Sequence, residues 1–319
     1  MSFNEEYKAI TSLVNSDLEK LDFQIASYFS KKQDEHNEIL PIINEFFAHK
    51  GKRIRCVLIF LFVKALNKEI DDFCLKIAAA TEIIHNATLI HDDIIDCSIM
   101  RRGKKTINFD YDSKLAVLCG DYLLAEVLKI LADTKDERIR KIYSDSVSRM
   151  ILGEIKQYFN RFKILSIEQY LEKSKDKTAR LFEAGIVSSY YAISPEIPNL
   201  DQVKSFALNF GTAFQIINDL ENFDNPEKIN EDIQNGDYSA PLIYYVRDKY
   251  KDSTRSLNNP AQVLKQLKNT DALEKTKQLA KYYLNSAIEN ISFLEDNLYK
   301  RAMMDLCNLY ANKWKEDNG

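Results

Sequence analysis

Residues 82–106 read EIIHNATLIHDDIIDCSIMRRGKKT, and the reading of this stretch decides the rest. Its first half carries Ile83, Ile84, Leu89 and Ile90 at helical spacing, which predicts one face of a buried helix. The helix runs into Asp92-Asp93-Ile94-Ile95-Asp96. Asp92 and Asp96 are one turn apart, so their carboxylates share a face. They repel each other, and no lysine lies within a turn to relieve them. A cation between them removes the conflict, and hard carboxylate oxygens suit Mg²⁺, which keeps waters and borrows phosphate oxygens. A solvated acidic helix end is the bland reading of such a run. Its neighbours argue otherwise: five residues past Asp96 come Arg101, Arg102 and Gly103. Two arginines beside a carboxylate pair make sense when a diphosphate bridges them, since guanidinium binds phosphate oxygens bidentately. His85 lies two turns before Asp92 on the same face; His91 faces elsewhere and reads as structural.

On either side of this stretch, helical periodicity dominates. It predicts helices over 6–30, from Pro41 to Gly51, and over 54–66, 71–96, 115–133, 139–164, 167–194 and 201–223. A polar loop is expected up to Tyr238, then a helix over 240–250 and two or three more in the Lys- and Glu-rich tail from Pro260. No alternating strand run of useful length is visible. With 8 Gly and 6 Pro in 319 residues there is little turn punctuation, which favours long helices over a βαβ chain. No linker or repeat divides the sequence. The expectation is therefore all-α, a single domain over 1–319.

The 45% hydrophobic content is enough for a large core. The net charge of −4 gives no global basic field for nucleic acid, so anion binding must rest on local clusters. Five scattered cysteines without a CxxC pair read as reduced thiols of a cytoplasmic protein. The polar N-terminus does not read as a signal peptide. The apolar run 57–65 contains a lysine and is too short to span a bilayer, so no membrane insertion is expected.

Two further clusters carry chemistry. Gly51-Lys52-Arg53-Ile54-Arg55 precedes an apolar helix, whose exposed N–H groups and dipole favour anions; a solvated basic turn is the alternative. Phe214-Gln215-Ile216-Ile217-Asn218-Asp219-Leu220-Glu221-Asn222 is a second apolar helix ending in acidic and amide groups. Two such helices suit a metal–diphosphate group clamped in a bundle.

In this order, the pieces resemble the trans-isoprenyl diphosphate synthases, the polyprenyl synthetase family, most closely its medium- and long-chain members. Residues 82–106 resemble the family's first aspartate-rich region and GKRIR its isopentenyl diphosphate site. Gly153-Glu154 with Gln157, then Lys177-Thr178-Ala179 and Leu181-Phe182, fall in family order. The resemblance covers roughly residues 40 to 245. It implies the isoprenoid synthase fold, a bundle of long helices around a deep central cavity, as a homodimer. It also implies a Mg²⁺-dependent transfer that joins isopentenyl diphosphate to an allylic diphosphate. By the resemblance, Asp92 and Asp96 bind Mg²⁺ and Arg101 contacts the allylic diphosphate. Lys52, Arg55, His85 and Arg102 hold isopentenyl diphosphate. Lys177, Gln215 and Lys228 serve the allylic side, with Lys177 and Thr178 near the developing cation. The small Ala87, with Ala80, Ile83 and Ile84, implies an open wall for a growing chain and long products.

The second region departs from the family. Where it carries DDxxD, this chain has Asn218, Asp219 and Asn222, and where it carries Gly-Lys, this chain has Gly236-Asp237. Asn218 and Asp219 remain candidate ligands, with Asp237 as a further one that restores charge lost at 218. Two alternatives stay open. One is a non-catalytic subunit of a heteromeric synthase. The other is a class I terpene cyclase, although that motif wants Glu at position 226, where Pro226 stands, and has no use for Lys52, Arg55, His85 and Arg102.

Overall fold

The computed structural model describes residues 2–30, 38–194, 196–223, 225–250, 257 and 260–313. In chain order its helices are α1 (Phe3–Ser12), α2 (Asn15–Ser30), α3 (Ile39–Ala48), α4 (Ile54–Ala65), α5 (Asp72–Ile95), α6 (Ile107–Asp110), α7 (Ser113–Ala132) and α8 (Glu137–Phe159). Then come α9 (Ile167–Ser174), α10 (Arg180–Ile193), α11 (Leu200–Asn222), α12 (Pro226–Asn235), α13 (Ala240–Tyr250), α14 (Pro260–Leu267), α15 (Ala272–Asn290) and α16 (Leu298–Ala311). A π-helical turn, Lys175–Ala179, joins α9 to α10 without interruption. Strands β1 (Met100–Arg101) and β2 (Lys104–Lys105) form one antiparallel hairpin.

Contacts divide the chain into two compact units. One comprises Ala9–Tyr143 and Ala184–Ile197. Its spine is α5, which packs on α2, α4 and α7. The start of α5 is fixed by Asp71, whose carboxylate accepts the Cys74 N–H at 2.7 Å, an N-cap of the usual kind. All of α4 except Lys64 is buried. Inside this core the Thr81 hydroxyl meets Tyr143 Oη at 2.6 Å, and Tyr143 donates to the Ile77 carbonyl. Both buried hydroxyls are thereby satisfied.

The other unit comprises Met1–Lys8, Ser144–Glu183 and Pro198–Gly319. Here α11 packs on α13, α15, α16 and the π turn. Phe206, Phe210 and Phe214, four apart, line one side of α11; Phe182 and Tyr310 pack on Phe210 and Phe214 with ring centroids 5.6–6.1 Å apart. A fully buried Phe contributes about 1.5–3 kcal/mol. Gly211 permits the closest approach: a Cβ there would lie 2.6 Å from the Ala179 Cα in the π turn.

Most predicted helices are present within two residues. The stretch 6–30 breaks at residues 13–14, giving α1 and α2. Pro41 falls at the third position of α3 rather than opening it, still within the first turn, where it removes no intrahelical hydrogen bond. α8 stops at Phe159, five residues early. The expected polar loop before Tyr238 contains α12. α5 is long and apolar enough to cross a membrane, and 72% of its 18-residue window is buried. Ala80, Ile83 and Ala87 are fully buried and Ile84 is 1% exposed, so the wall expected from them is closed packing in this conformation.

Candidate active site

The first site stands at the C-terminal end of α5. Asp96 caps the helix, its N–H donating to the Asp92 carbonyl at 2.8 Å. Both side chains are solvent-accessible and one turn apart. Asp93 points inward at 2% exposure and holds Arg101, whose Nε donates to both carboxylate oxygens at 2.7 and 2.8 Å. Burial raises the Asp93 carboxyl above its usual range, against the lowering pull of Arg101.

Arg101 and Arg102 sit on the β1–β2 hairpin. Arg102 (φ 50°) and Gly103 (φ 76°) are its two central residues, the positive-φ pair of a type I′ turn. This turn sends Arg102 back toward the chain before α4: its Nη1 donates to the His49 carbonyl at 2.8 Å. Gly51 leaves the room, since a Cβ there would lie 2.7 Å from Arg102 Nη2. Arg53 adopts left-handed geometry at the head of α4 and, with Lys50, forms an ion pair with Asp22. Arg55 lies in the first turn of α4 at 8% exposure, and burial draws its guanidinium down to about 10. Burial pushes the His85 imidazole well below its usual pKa, and Arg55, Arg102 and Arg101 push it further. Of the predicted diphosphate-binding set, Arg55, His85, Arg101 and Arg102 are thus close enough to act on one another; Lys52 is exposed beside them. His91 sits against α7, its Nε2 3.4 Å from the Val117 carbonyl and 3.5 Å from Asp121.

The second site surrounds a cavity of about 160 Å³ in the other unit, lined by Gln157, Lys173, Ser174, Lys177, Gln215, Asp219, Asn222, Asp232, Asp237 and Ser239. Asp219 accepts from Tyr170 Oη at 2.5 Å and from Gln215 Nε2 at 2.8 Å. Gln215 in turn accepts the Thr178 hydroxyl at 2.6 Å, a bond that the π turn sets up by displacing Thr178 from regular helical register. Lys177, also in this turn, pairs with Glu154. Asp237 accepts from Gln157 Nε2 at 2.6 Å and from Lys173 Nζ at 2.9 Å. Its position follows from a Schellman end to α12: Gly236 at φ 70° donates to the Ile233 carbonyl, and Asp237 N–H to the Asp232 carbonyl at 2.9 Å. Burial and the neighbouring carboxylates hold Asp232 up at about 8; burial and, more weakly, Asp237 hold Asp219 at about 6. Asn222 lines this cavity and Asn218 does not; Lys228 is exposed on α12 and does not line it.

Several of these partners, Asp22, Tyr170, Lys173 and Asp232, carried no signal in sequence. They meet the site only through tertiary packing, from positions whose local pattern is that of an ordinary helix surface. Among the described residues no three His, Cys, Asp or Glu side chains are grouped to hold a metal ion. The smaller donor set at Asp92 and Asp96 fits Mg²⁺. It is all oxygen, at the negative end of a helix whose last turn has no basic residue, and Mg²⁺ completes its shell with water and phosphate.

The polyprenyl synthetase family model matches residues 36–282. The chain belongs to the polyprenyl synthetase family. It is 31% identical to a prenyl transferase of Cyanophora paradoxa, over 81% of this chain and 84% of that one. It is 27% identical to heptaprenyl diphosphate synthase component 2 of Geobacillus stearothermophilus, over 96% and 98% of the two chains. The crystal structure of a decaprenyl diphosphate synthase from Rhodobacter capsulatus superposes with a TM-score of 0.87 at 23% identity, over 96% of this chain and 99% of that one. The fold of this chain is thus the all-α fold of solved polyprenyl synthases, and the family match runs through both compact units.

Proposed function

We propose that this protein condenses isopentenyl diphosphate with an allylic diphosphate, in a Mg²⁺-dependent reaction, to give a longer trans-polyprenyl diphosphate. Prenyl transfer follows from the family. The observation that carries the finer reading is the pairing of two sites on one helix: His85 among Arg55, Arg101 and Arg102, and, two turns on, Asp92 with Asp96. One is built for an anion and the other for a cation that binds an anion.

Asp92 and Asp96 would hold the Mg²⁺, which when bound supplies positive charge to the leaving diphosphate. Arg101, its Nε fixed by Asp93, presents its guanidinium in one orientation, so little entropy is lost when it takes a phosphate oxygen. By the family resemblance, Lys177 and Gln215 serve an allylic diphosphate. The Thr178 hydroxyl donates its hydrogen bond to Gln215 Oε1, which leaves the hydroxyl lone pairs as acceptors suited to a carbocation. Lys52, Arg55, His85 and Arg102 hold isopentenyl diphosphate; a neutral His85 donates one N–H without adding charge. The allylic C–O bond ionises, the alkene attacks the cation, and a proton is lost to the departing diphosphate, since no protein base is assigned to it.

The cytoplasm and a homodimer are part of this reading. Buried thiols at Cys56, Cys74, Cys119 and Cys307 support the first, and the exposed Val117, Leu118 and Leu128 on α7 support the second. A product beyond geranylgeranyl is supported by the heptaprenyl and decaprenyl names of the similar proteins. The word "component" in one of those names supports the second reading, a subunit that needs a partner for turnover.

The test is metal dependence at α5. Mg²⁺ with a non-reactive allylic diphosphate analogue should raise the melting temperature of the wild type. Asp92→Asn or Asp96→Asn should lose that rise, keep the unliganded melting temperature, and lose turnover by orders of magnitude. EDTA should abolish wild-type turnover. Undiminished activity in either variant would remove the pair from the mechanism.

A further inference from the structure

Glu82 is a buried carboxylate that the mechanism above does not use. It lies on α5 one turn before His85 and is 3% exposed. Its Oε1 accepts from Asn86 Nδ2 at 3.2 Å, and its Oε2 is 3.6 Å from the Cys56 thiol. Cys56 is the neighbour of Arg55 in the first turn of α4, so Glu82 stands directly behind the end of α4 that carries the basic cluster. A buried carboxylate is costly and is stable only where positive charge or good hydrogen bonds answer it. One amide and one weak thiol donor are a thin hydrogen-bond set for two carboxylate oxygens. The charges within its reach are arginines. The Glu82 charge favours the charged form of both Arg55 and Arg102, opposing the burial that disfavours it.

We propose that Glu82 is the positioning residue of the diphosphate site: a buried counter-charge that holds Arg55 and Arg102 together beside His85 before substrate arrives. The inference rests on the assignment of Arg55, His85 and Arg102 to isopentenyl diphosphate. Without a negative charge behind them, two guanidiniums and a nearby third at Arg53 repel one another. Arg102, on an exposed hairpin, is then held only by its bond to the His49 carbonyl. The site then has to be assembled by the substrate, at the expense of affinity. At 3% exposure the carboxylate lies on the interior side, so it does not compete with phosphate for the solvent-side N–H groups of Arg55 and Arg102.

The sign of the effect separates this proposal from simple Coulomb attraction. Removing a negative charge near an anion site should tighten binding if only the overall field mattered. If Glu82 positions the arginines, removing its charge should weaken binding. The experiment is titration calorimetry of the full-length protein with isopentenyl diphosphate, and separately with an allylic diphosphate plus Mg²⁺. It uses wild type, Glu82→Gln, Glu82→Asp, Arg55→Gln and the Glu82→Gln/Arg55→Gln double variant. The expected results are at least a tenfold rise in Kd for isopentenyl diphosphate in Glu82→Gln and partial recovery in Glu82→Asp. The allylic Kd should stay within twofold, and Glu82→Gln should add less in the Arg55→Gln background than alone, the coupling of residues that act through each other. Unchanged or tighter isopentenyl diphosphate binding in Glu82→Gln, while Arg55→Gln weakens it, overturns the positioning role and leaves the site assignment standing. Equal weakening of both substrates with a fallen melting temperature also overturns it, in favour of a structural role. An Arg55→Gln variant that binds as wild type overturns the assignment itself. Should Glu82→Gln fail to fold, Glu82→Asp carries the same comparison: weaker isopentenyl diphosphate binding with an unchanged allylic Kd supports the role, and wild-type binding of both overturns it.

Discussion

Asp232 holds its proton up to about pH 8, because its own burial and the charges of Asp237 and Asp219 disfavour ionisation. An ordinary unfolded Asp ionises near 3.9. The folded state therefore binds more protons between these values, and the contribution to stability, full below about pH 4, fades as pH rises through about 8. Asp232→Asn removes the charge that causes this loss. In EDTA, the variant should melt close to wild type at pH 5 and several degrees above it at pH 9, as read by thermal denaturation at both pH values. A variant that melts below wild type at pH 9 would mean that Asp232 is ionised and favourably paired there. The same residue scale explains what the sequence hid. Asn218 and Asp237 stand out as departures from a motif, yet their environment is not in the motif. Asp237 has both oxygens on Gln157 and Lys173, and Lys173 is an unremarkable helix position until α9 is folded against the α12–α13 connection.

At the scale of elements, the long helices were legible because each carries its own 3.6-residue apolar period and, at α5, an Asp71 cap. The features that aim the functional groups were not legible. The β1–β2 hairpin has only two residues per strand, too few for an alternating pattern, and its turn uses Arg102 where Asn is the usual signal before Gly. The π turn at Lys175–Ala179 is one extra residue inside an unbroken helical pattern. α12 escaped because its residues are mostly polar, although Pro226 in its first turn and Gly236 just past its end are the signature of a helix start and stop. Two glycine substitutions test these elements differently. Gly103→Ala forces a side chain into left-handed geometry at a cost of about 1–2 kcal/mol. It should weaken isopentenyl diphosphate binding by moving Arg102, with a small change in melting temperature. Gly211→Ala puts a methyl group against the Ala179 backbone, an overpacking defect of about 1–3 kcal/mol. It should lower stability to denaturant clearly and reduce turnover by shifting Thr178 from Gln215. Equal, negligible effects of the two would show that neither close geometry matters.

For the whole molecule, the family and the all-α fold were readable from residues 82–106 and a few ordered motifs, because a diphosphate site constrains charge, spacing and order together. The division into two compact units was not, because both units are mainly helical and no change of composition marks where the chain leaves one for the other. On the function proposed above, this chain by itself lengthens prenyl diphosphates. The direct measurement is to incubate the purified protein alone with farnesyl diphosphate, labelled isopentenyl diphosphate and Mg²⁺, and to resolve the dephosphorylated products by chain length. The expected products are labelled trans-polyprenols longer than geranylgeraniol, and none in EDTA. A folded protein that binds both substrates and yields no elongated product would contradict that function and leave the chain as a subunit that requires a catalytic partner.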